Sequence, residues 1–267
     1  MSSSPTDSPQ RVNRLTVRAA LAPLVGEARI SAALTSQLRA GEIVTVLDRR
    51  GDWLHVHGED GYEGWTHAGY LMPTSGGEAA WRLSLGSVVR LQVGTPCALP
   101  LGARVTPSAE IVSGEVIDAS AREARFARDG ADIAVSASTL FGGASYLWGG
   151  VTPWGCDCSG FVQSVFGLHG VRLPRDAWQQ ATCGHDVLAE RETKSADCAG
   201  EQHAAGDLLF FTDREDRRVT HVGIALGDAR MVHSSLTRGG IAVERMNGDD
   251  SYVAKLRAGC TGIRRVV

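Results

Sequence analysis

Residues 146–166 read YLWGGVTPWGCDCSGFVQSVF, and no other run restricts the possible folds as much. Glycines at 149, 150 and 155 and Pro153 keep the approach irregular, while Phe161, Val162, Val165 and Phe166 recur at helical spacing from Ser159 onward. A Gly-rich turn therefore becomes a helix at Cys158. A cysteine at a helix start meets unpaired backbone N–H groups and the positive end of the helix dipole, which favour thiolate over thiol. That makes Cys158 a candidate nucleophile, and a nucleophile needs a proton acceptor.

The acceptor candidates lie in residues 220–235, THVGIALGDARMVHSS, which read as a β-hairpin with His221 at its start and His233 near its end. Side chains alternate faces along a strand, so a two-residue turn would put the two rings on opposite faces. A three-residue turn at 227–229 puts them on one face, and this is the turn expected. His233 then pairs opposite Gly223, whose missing side chain leaves room for the ring to lean toward His221. A cysteine, a histidine base and a polar group that orients the base follow the triad logic of a thiol hydrolase. Asp228, in the turn, is the alternative orienter if His233 faces away.

Taken in order, YLWGG, DCSGF, LPRDA, GDLLFF and HVGIALGD followed by VHSS resemble the blocks of the NlpC-type papain-like cysteine peptidases, over about the last half of the chain. The resemblance implies hydrolysis of amide bonds in peptidoglycan stem peptides. Cys158 resembles the nucleophile, His221 the base and His233 the third triad member, and Tyr146 supplies a phenolic donor to the oxyanion beside the Cys158 backbone N–H. No cofactor is implied. Cys156, Cys158, Cys183 and His185 also offer zinc-like spacing, but a zinc-bound Cys158 could not be the nucleophile, and no metal is expected.

Upstream, GEIVTVLDRRGDWLHVHGEDGYEGWTHAGYL alternates apolar residues between Gly-rich turns, the mark of short strands. Five strands in about 60 residues suit a small barrel, and the GYEGW turn resembles that of a bacterial SH3-like domain. Similar strand lengths in residues 75–130 suggest a second, divergent SH3-like barrel. The expected fold class is α+β: a disordered tail (1–10), an SH3-like barrel (11–74), a second barrel (75–130) and a papain-like peptidase domain (131–267). His55, His57 and His67 read as strand or turn residues, His169 as a helix C-terminal residue, and Trp154 and Trp178 as core or rim. Residues 184–206 read as a surface loop or insertion.

The SH3-like-plus-peptidase arrangement resembles a subgroup of γ-D-glutamyl-L-diamino acid endopeptidases that recycle murein peptides and need a free N-terminal L-Ala. In that resemblance Asp176 pairs with the substrate ammonium, and Tyr62 reaches in from the first barrel to close the pocket. Asp157 and Ser159 contact the L-Ala-γ-D-Glu portion, and Trp148 walls the site. The chain has Ala177 where the subgroup carries Ser, which leaves Arg175 as the expected bidentate partner of the γ-D-Glu carboxylate. It also has Ala33 where the subgroup has an acid, with Glu27 or Glu42 as substitutes. A net charge of −3 over 267 residues provides no basic field for nucleic acid or anionic lipid. The first residues, MSSSPTDSPQRVNR, lack an apolar signal core, and no 18-residue apolar run occurs. Six cysteines are too sparse for a disulfide scaffold. These features together lead to an expected cytoplasmic location.

Overall fold

The computed structural model describes residues 14–74, 81–90, 94–187, 198 and 203–267. The expected tail and most of the 184–206 loop lie outside these residues. Seven strands form the first unit: β1 (Arg14–Val17), β2 (Leu21–Val25), β3 (Leu34–Arg39), β4 (Ile43–Arg50), β5 (Trp53–His57), β6 (Glu63–His67) and β7 (Leu71–Pro73). Their order in the sheet is β3-β2-β6-β5-β4-β1-β7. In β5, WLHVH, period-2 alternation sends Leu54 and Val56 inward to join Leu24 and Val44, and turns His55 and His57 outward. Trp65 of the GYEGW turn is buried, with the His55 ring and the Arg50 guanidinium against it.

Where the sequence suggests a second barrel, the described residues form a three-stranded antiparallel sheet of β8 (Arg82–Arg90), β9 (Cys97–Val105) and β10 (Glu110–Asp118), in the order β10-β8-β9. One apolar cluster in it shares Ala40 with the first unit, while Leu83 and Leu101 pack into the core of the unit that follows.

The third unit begins with α1 (Arg122–Arg125) and α2 (Gly130–Thr139), then a short hairpin of β11 (Val151–Thr152) and β12 (Gly155–Cys156), then α3 (Cys158–Leu168) and α4 (Ala177–Gln180). It continues through β13 (His185–Asp186), β14 (Leu208–Phe211), β15 (His221–Gly227), β16 (Arg230–Ser235), β17 (Gly240–Arg245), α5 (Ser251–Ala258) and β18 (Cys260–Arg265). The six-stranded sheet runs β13-β18-β14-β15-β16-β17. Two clusters share the strands that build this sheet. Phe161, Val162, Val165 and Phe166 of α3 pack with Leu208, Phe210, Val222 and Ile224. Leu209, Phe211, Ala225 and Met231 pack with Val253 and Leu256 of α5. Full burial of those four α3 side chains contributes about 6–12 kcal/mol at ~1.5–3 kcal/mol each. The loop before α3 can reach it only because glycines line the approach: a Cβ on Gly160 would lie 2.1 Å from the Gly150 carbonyl oxygen.

The β15–β16 hairpin corrects the expected turn. Gly227 pairs with Arg230, leaving a two-residue turn in which Asp228 and Ala229 both take φ near +50°. Both central residues left-handed is the geometry of a type I′ hairpin. A register shift between Ala225 and Gly227 adds back one residue. Turn and bulge together reproduce the register of a three-residue turn. The space at Gly223 is also used differently from the expectation, since a Cβ there would meet the Met231 sulfur at 2.4 Å.

Candidate active site

Asp157 caps α3 and accepts from the Gly160 N–H at 2.7 Å through Oδ1. Its Oδ2 accepts from the Gly149 N–H at 2.8 Å, so one carboxylate ties the Gly-rich loop to the first turn of the helix. Arg175 closes on the same carboxylate with both prongs, Nη1 to Oδ1 at 3.0 Å and Nη2 to Oδ2 at 2.6 Å. Nη1 also donates to Ser159 Oγ at 2.9 Å, and Nε donates to Ser36 Oγ of β3 at 3.1 Å. Arg175 is 2% exposed and Asp157 5%. Burial works against the Arg175 charge, and Asp157 more than restores it, holding the guanidinium above its usual range.

Arg175, Asp157 and Ser159 all line the cleft beside Cys158, with their side chains bonded to one another. The Arg175 fork is closed on Asp157, so it does not offer a bidentate face to a substrate carboxylate. Asp157 accepts five hydrogen bonds, including one from Ser159 Oγ at 3.3 Å. Asp157 and Ser159 thus form part of the cleft wall with their side chains already bonded within the protein.

Cys158, 8% exposed, opens onto a cleft of about 530 Å³ whose walls include Tyr62, Trp148, Asp176 and Trp178. Tyr62 and Thr35 come from the first barrel and form one side of the cleft. The barrel is held there by the Ser36–Arg175 contact, by Gln163 Nε2 donating to Asp60 Oδ2 at 2.9 Å, and by the Val151 N–H donating to Gln37 Oε1 at 3.3 Å. Burial raises the Tyr62 phenol, with Asp176 second. Neither expected substitute acid reaches the cleft. Glu27 pairs with Arg29 on the surface, and Glu42 holds Arg39, so Asp176 and Asp157 are the carboxylates on its walls among the described residues.

The sulfur meets the backbone N–H groups of Val222 and Ser159, which stabilise thiolate, yet burial outweighs them and pushes the thiol up to about 12, with Asp157 adding to the rise. The helix start exists as expected, but its cap is itself an anion and the cysteine is buried. Burial likewise pushes His221 down to about 3, with His233 second, although part of the residue still reaches solvent. Both groups are driven toward neutrality in the resting site. Tyr146, partly buried, is pushed up to about 12 by burial and then by the charge of Cys158, so its phenol keeps its proton.

His221 Nε2 lies 2.7 Å from His233 Nδ1. Beyond them stands a residue that sequence reasoning misses. Glu244 of β17, 6% exposed, places Oε1 3.5 Å from His233 Nε2 and is itself held by Arg238, Nε to Oε1 at 2.7 Å and Nη2 to Oε2 at 3.1 Å. The His233 contact and Arg238 outweigh burial and hold the Glu244 carboxyl down at about 2. A carboxylate only accepts, so it favours the proton on His233 Nε2 and leaves Nδ1 as acceptor. His221 must then donate from Nε2, which leaves a lone pair on its Nδ1. In GIAVER nothing marks Glu244 as buried, and only the pairing of β17 beside β16 brings it to His233.

Among the described residues no group of three or more His, Cys, Asp or Glu is placed to hold a metal ion, and the zinc-like spacing of Cys156, Cys158, Cys183 and His185 produces no such cluster. Cys198 and Cys260 form a disulfide. The sparse cysteines argue against a scaffold of bridges, but this one joins Cys198 to the first residue of β18.

Residues 143–258 match the NlpC/P60 family, and residues 26–72 match the bacterial SH3 domain. The chain carries the NlpC/P60 domain of a cysteine endopeptidase, with a bacterial SH3 domain ahead of it. It is 28% identical to a gamma-D-glutamyl-L-lysine dipeptidyl-peptidase of Bacillus cereus, over 80% of this chain and 71% of that one. A protein of the same description from Bacillus subtilis is 29% identical, over 76% and 73%. The crystal structure of an NlpC/P60 family protein from Bacillus cereus covers 95% of this endopeptidase and 99% of its own chain, with a TM-score of 0.75 at 19% identity. That likeness supports the papain-like fold behind an SH3 domain.

Proposed function

We propose that this endopeptidase cleaves the γ-D-glutamyl bond to the third, diamino acid residue of murein stem peptides that carry a free N-terminal L-Ala, and releases L-Ala-γ-D-Glu. One observation carries the reading: Tyr62 and Thr35 of the first barrel wall the same cleft that holds Cys158 and Asp176. A barrel in that position limits what can extend upstream of the scissile bond, and Asp176 offers an ammonium partner at that end. The relatives named as gamma-D-glutamyl-L-lysine dipeptidyl-peptidases match over both the barrel and the peptidase unit, which supports the same reading.

In the proposed reaction Cys158 Sγ attacks the γ-carbonyl carbon of D-Glu while its proton passes to His221 Nδ1. The carbonyl oxygen becomes an oxyanion that accepts from the Tyr146 phenol and the Cys158 N–H. His233, held by Glu244, fixes the His221 tautomer and stabilises the imidazolium that forms. Collapse breaks the C–N bond, His221 returns the proton to the leaving amine, and a thioester remains. Water attacks the thioester with His221 again as base and frees the dipeptide.

The test is mass spectrometry of L-Ala-γ-D-Glu-L-Lys beside its N-acetylated form, with wild type and Cys158→Ala. Cleavage of only the free-amine peptide, absent in the variant, is expected. Equal cleavage of both peptides would remove the blocked cleft. A second reading, a general cell-wall endopeptidase outside the reducing cytoplasm, draws on the Cys198–Cys260 bridge, since disulfides persist in oxidising compartments. Release of peptides from purified sacculi by the wild type would favour it.

A further inference from the structure

We propose that Arg218, stacked on Trp178, binds a carboxylate of the substrate next to the scissile bond. The proposal rests on the peptidase reading above and deepens it by naming the charge that the cleft selects.

Three arginines line the cleft: Arg175, Arg214 and Arg218. Arg175 is closed on Asp157. Arg214 holds Asp216 with Nε at 2.9 Å and Nη2 at 2.7 Å. Among the described residues the Arg218 guanidinium makes no close ion pair, although Asp216 of the same loop feels its charge, and it lies over the Trp178 ring, 5.1 Å from the centroid. The loop that carries it is fixed from within, because the Arg218 N–H donates to Asp216 Oδ1 at 3.0 Å and Thr220 Oγ1 donates to Asp213 at 3.3 Å. Arg217 is turned away, with Nη2 donating to the Cys260 carbonyl at 3.0 Å. The cation left facing the cleft is thus Arg218. A planar guanidinium on an aromatic face keeps its edge N–H groups in the plane that a carboxylate meets with both oxygens.

Trp178 also donates from Nε1 to Asp176 Oδ2 at 3.3 Å. One indole therefore separates a cation on its face from an acid on its edge, an arrangement that suits a ligand with both an ammonium and a carboxylate. Position 177 is alanine and brings no hydroxyl, while the next residue holds the arginine. Arg218 also lies on the loop leading into β15, whose residues 218–220 line the cleft just ahead of His221, the proposed proton donor to the leaving amine. In the proposed substrate two carboxylates flank the bond: the α-carboxylate of the γ-linked D-Glu, and the carboxylate of the leaving residue.

Steady-state kinetics on three peptides tests the proposal: L-Ala-γ-D-Glu-L-Lys, its D-isoglutamine analogue, and its C-terminal amide, each with wild type, Arg218→Gln and Arg218→Lys. Thermal melts check that each variant is folded. For the wild type, amidating the carboxylate that Arg218 holds should raise KM about tenfold to a hundredfold, the range for a charge-assisted hydrogen-bonded contact. In Arg218→Gln that ratio should fall toward one, and Arg218→Lys, which keeps charge without the fork, should lie between. A ratio lost in the D-isoglutamine arm assigns the D-Glu carboxylate, and one lost in the C-terminal amide arm assigns the leaving residue. A wild type indifferent to both amides, or an Arg218→Gln variant that keeps the wild-type ratios, overturns the proposal while the peptidase reading stands. A wild type that cleaves neither these three nor their meso-diaminopimelate counterparts removes both.

Discussion

Glu244→Ala isolates what the buried carboxylate does for the base. Two proton arrangements are available to the histidine pair joined at 2.7 Å. In one, His233 carries its proton on Nε2 and His221 presents a lone pair at Nδ1. In the other, His233 donates from Nδ1, and His221 is left with a proton on Nδ1 and cannot accept one there. Glu244 Oε1, 3.5 Å from His233 Nε2, favours the first. At that separation the pair makes no hydrogen bond in the resting structure, so the attraction is electrostatic and lies below the about 1.5–3 kcal/mol of a hydrogen bond to a charged group, at about 1 kcal/mol. That corresponds to a population bias of roughly fivefold. The carboxylate also stabilises the imidazolium formed during attack, so kcat of Glu244→Ala should fall about 10- to 100-fold with a smaller change in KM. Glu244→Gln keeps an acceptor without the charge and should recover part of the loss. Without the negative charge His221 holds its proton less well, so the acid limb of kcat should move to lower pH in both variants. The assay is dipeptide release followed across pH, with circular dichroism melts to confirm folding. A folded Glu244→Ala with kcat within about twofold of wild type and an unmoved acid limb would refute the tautomer reasoning.

Further outcomes follow from the same geometry. Arg175→Ala leaves the Asp157 carboxylate buried without its countercharge, and urea unfolding should show a loss of about 3–5 kcal/mol; a loss under 1 kcal/mol would mean that the pair is not what holds the loop to α3. Tyr62→Ala should raise KM for the free-amine peptide and begin to admit the N-acetylated one, and continued exclusion of the latter would move the block elsewhere in the barrel. With its thiol raised by burial, Cys158 should alkylate slowly with iodoacetamide at pH 7 and faster as pH climbs through 9, whereas a plateau below pH 7 would mean a preformed thiolate. His221, with a folded pKa below its unfolded value near 6.5, takes a proton in the unfolded chain before it does in the folded one. Stability should therefore fall as pH drops from about 6.5 toward 3, and His221→Gln should flatten that slope in a urea series; an unchanged slope would assign the acid sensitivity to other groups.

The sequence carried the local half of this site and lost the tertiary half. Helical spacing after a Gly-rich turn placed Cys158 at the start of α3 because both signals sit within a few residues of it. Alternation along one hairpin brings His221 and His233 to a common side with either turn, since a two-residue turn with a bulge and a three-residue turn produce the same register. Glu244 was invisible, because its burial depends on β17 pairing beside β16 rather than on its own neighbours. Arg175 was legible as a functional arginine but not as a closed one. Its partners, at positions 36, 157 and 159, come from two different units, and a motif cannot say which way a guanidinium turns. The thiol shows the deepest reason for such misses. Helix position is a local property and argues for thiolate, whereas desolvation is a property of everything packed around the sulfur and reverses the direction. A helix terminus is worth about 0.3–1 kcal/mol at an exposed surface and up to ~2 when partly buried, and the burial that pushes the thiol up to about 12 overrides it. In the proposed reaction the proton transfer to His221 is therefore part of the attack rather than a step completed beforehand.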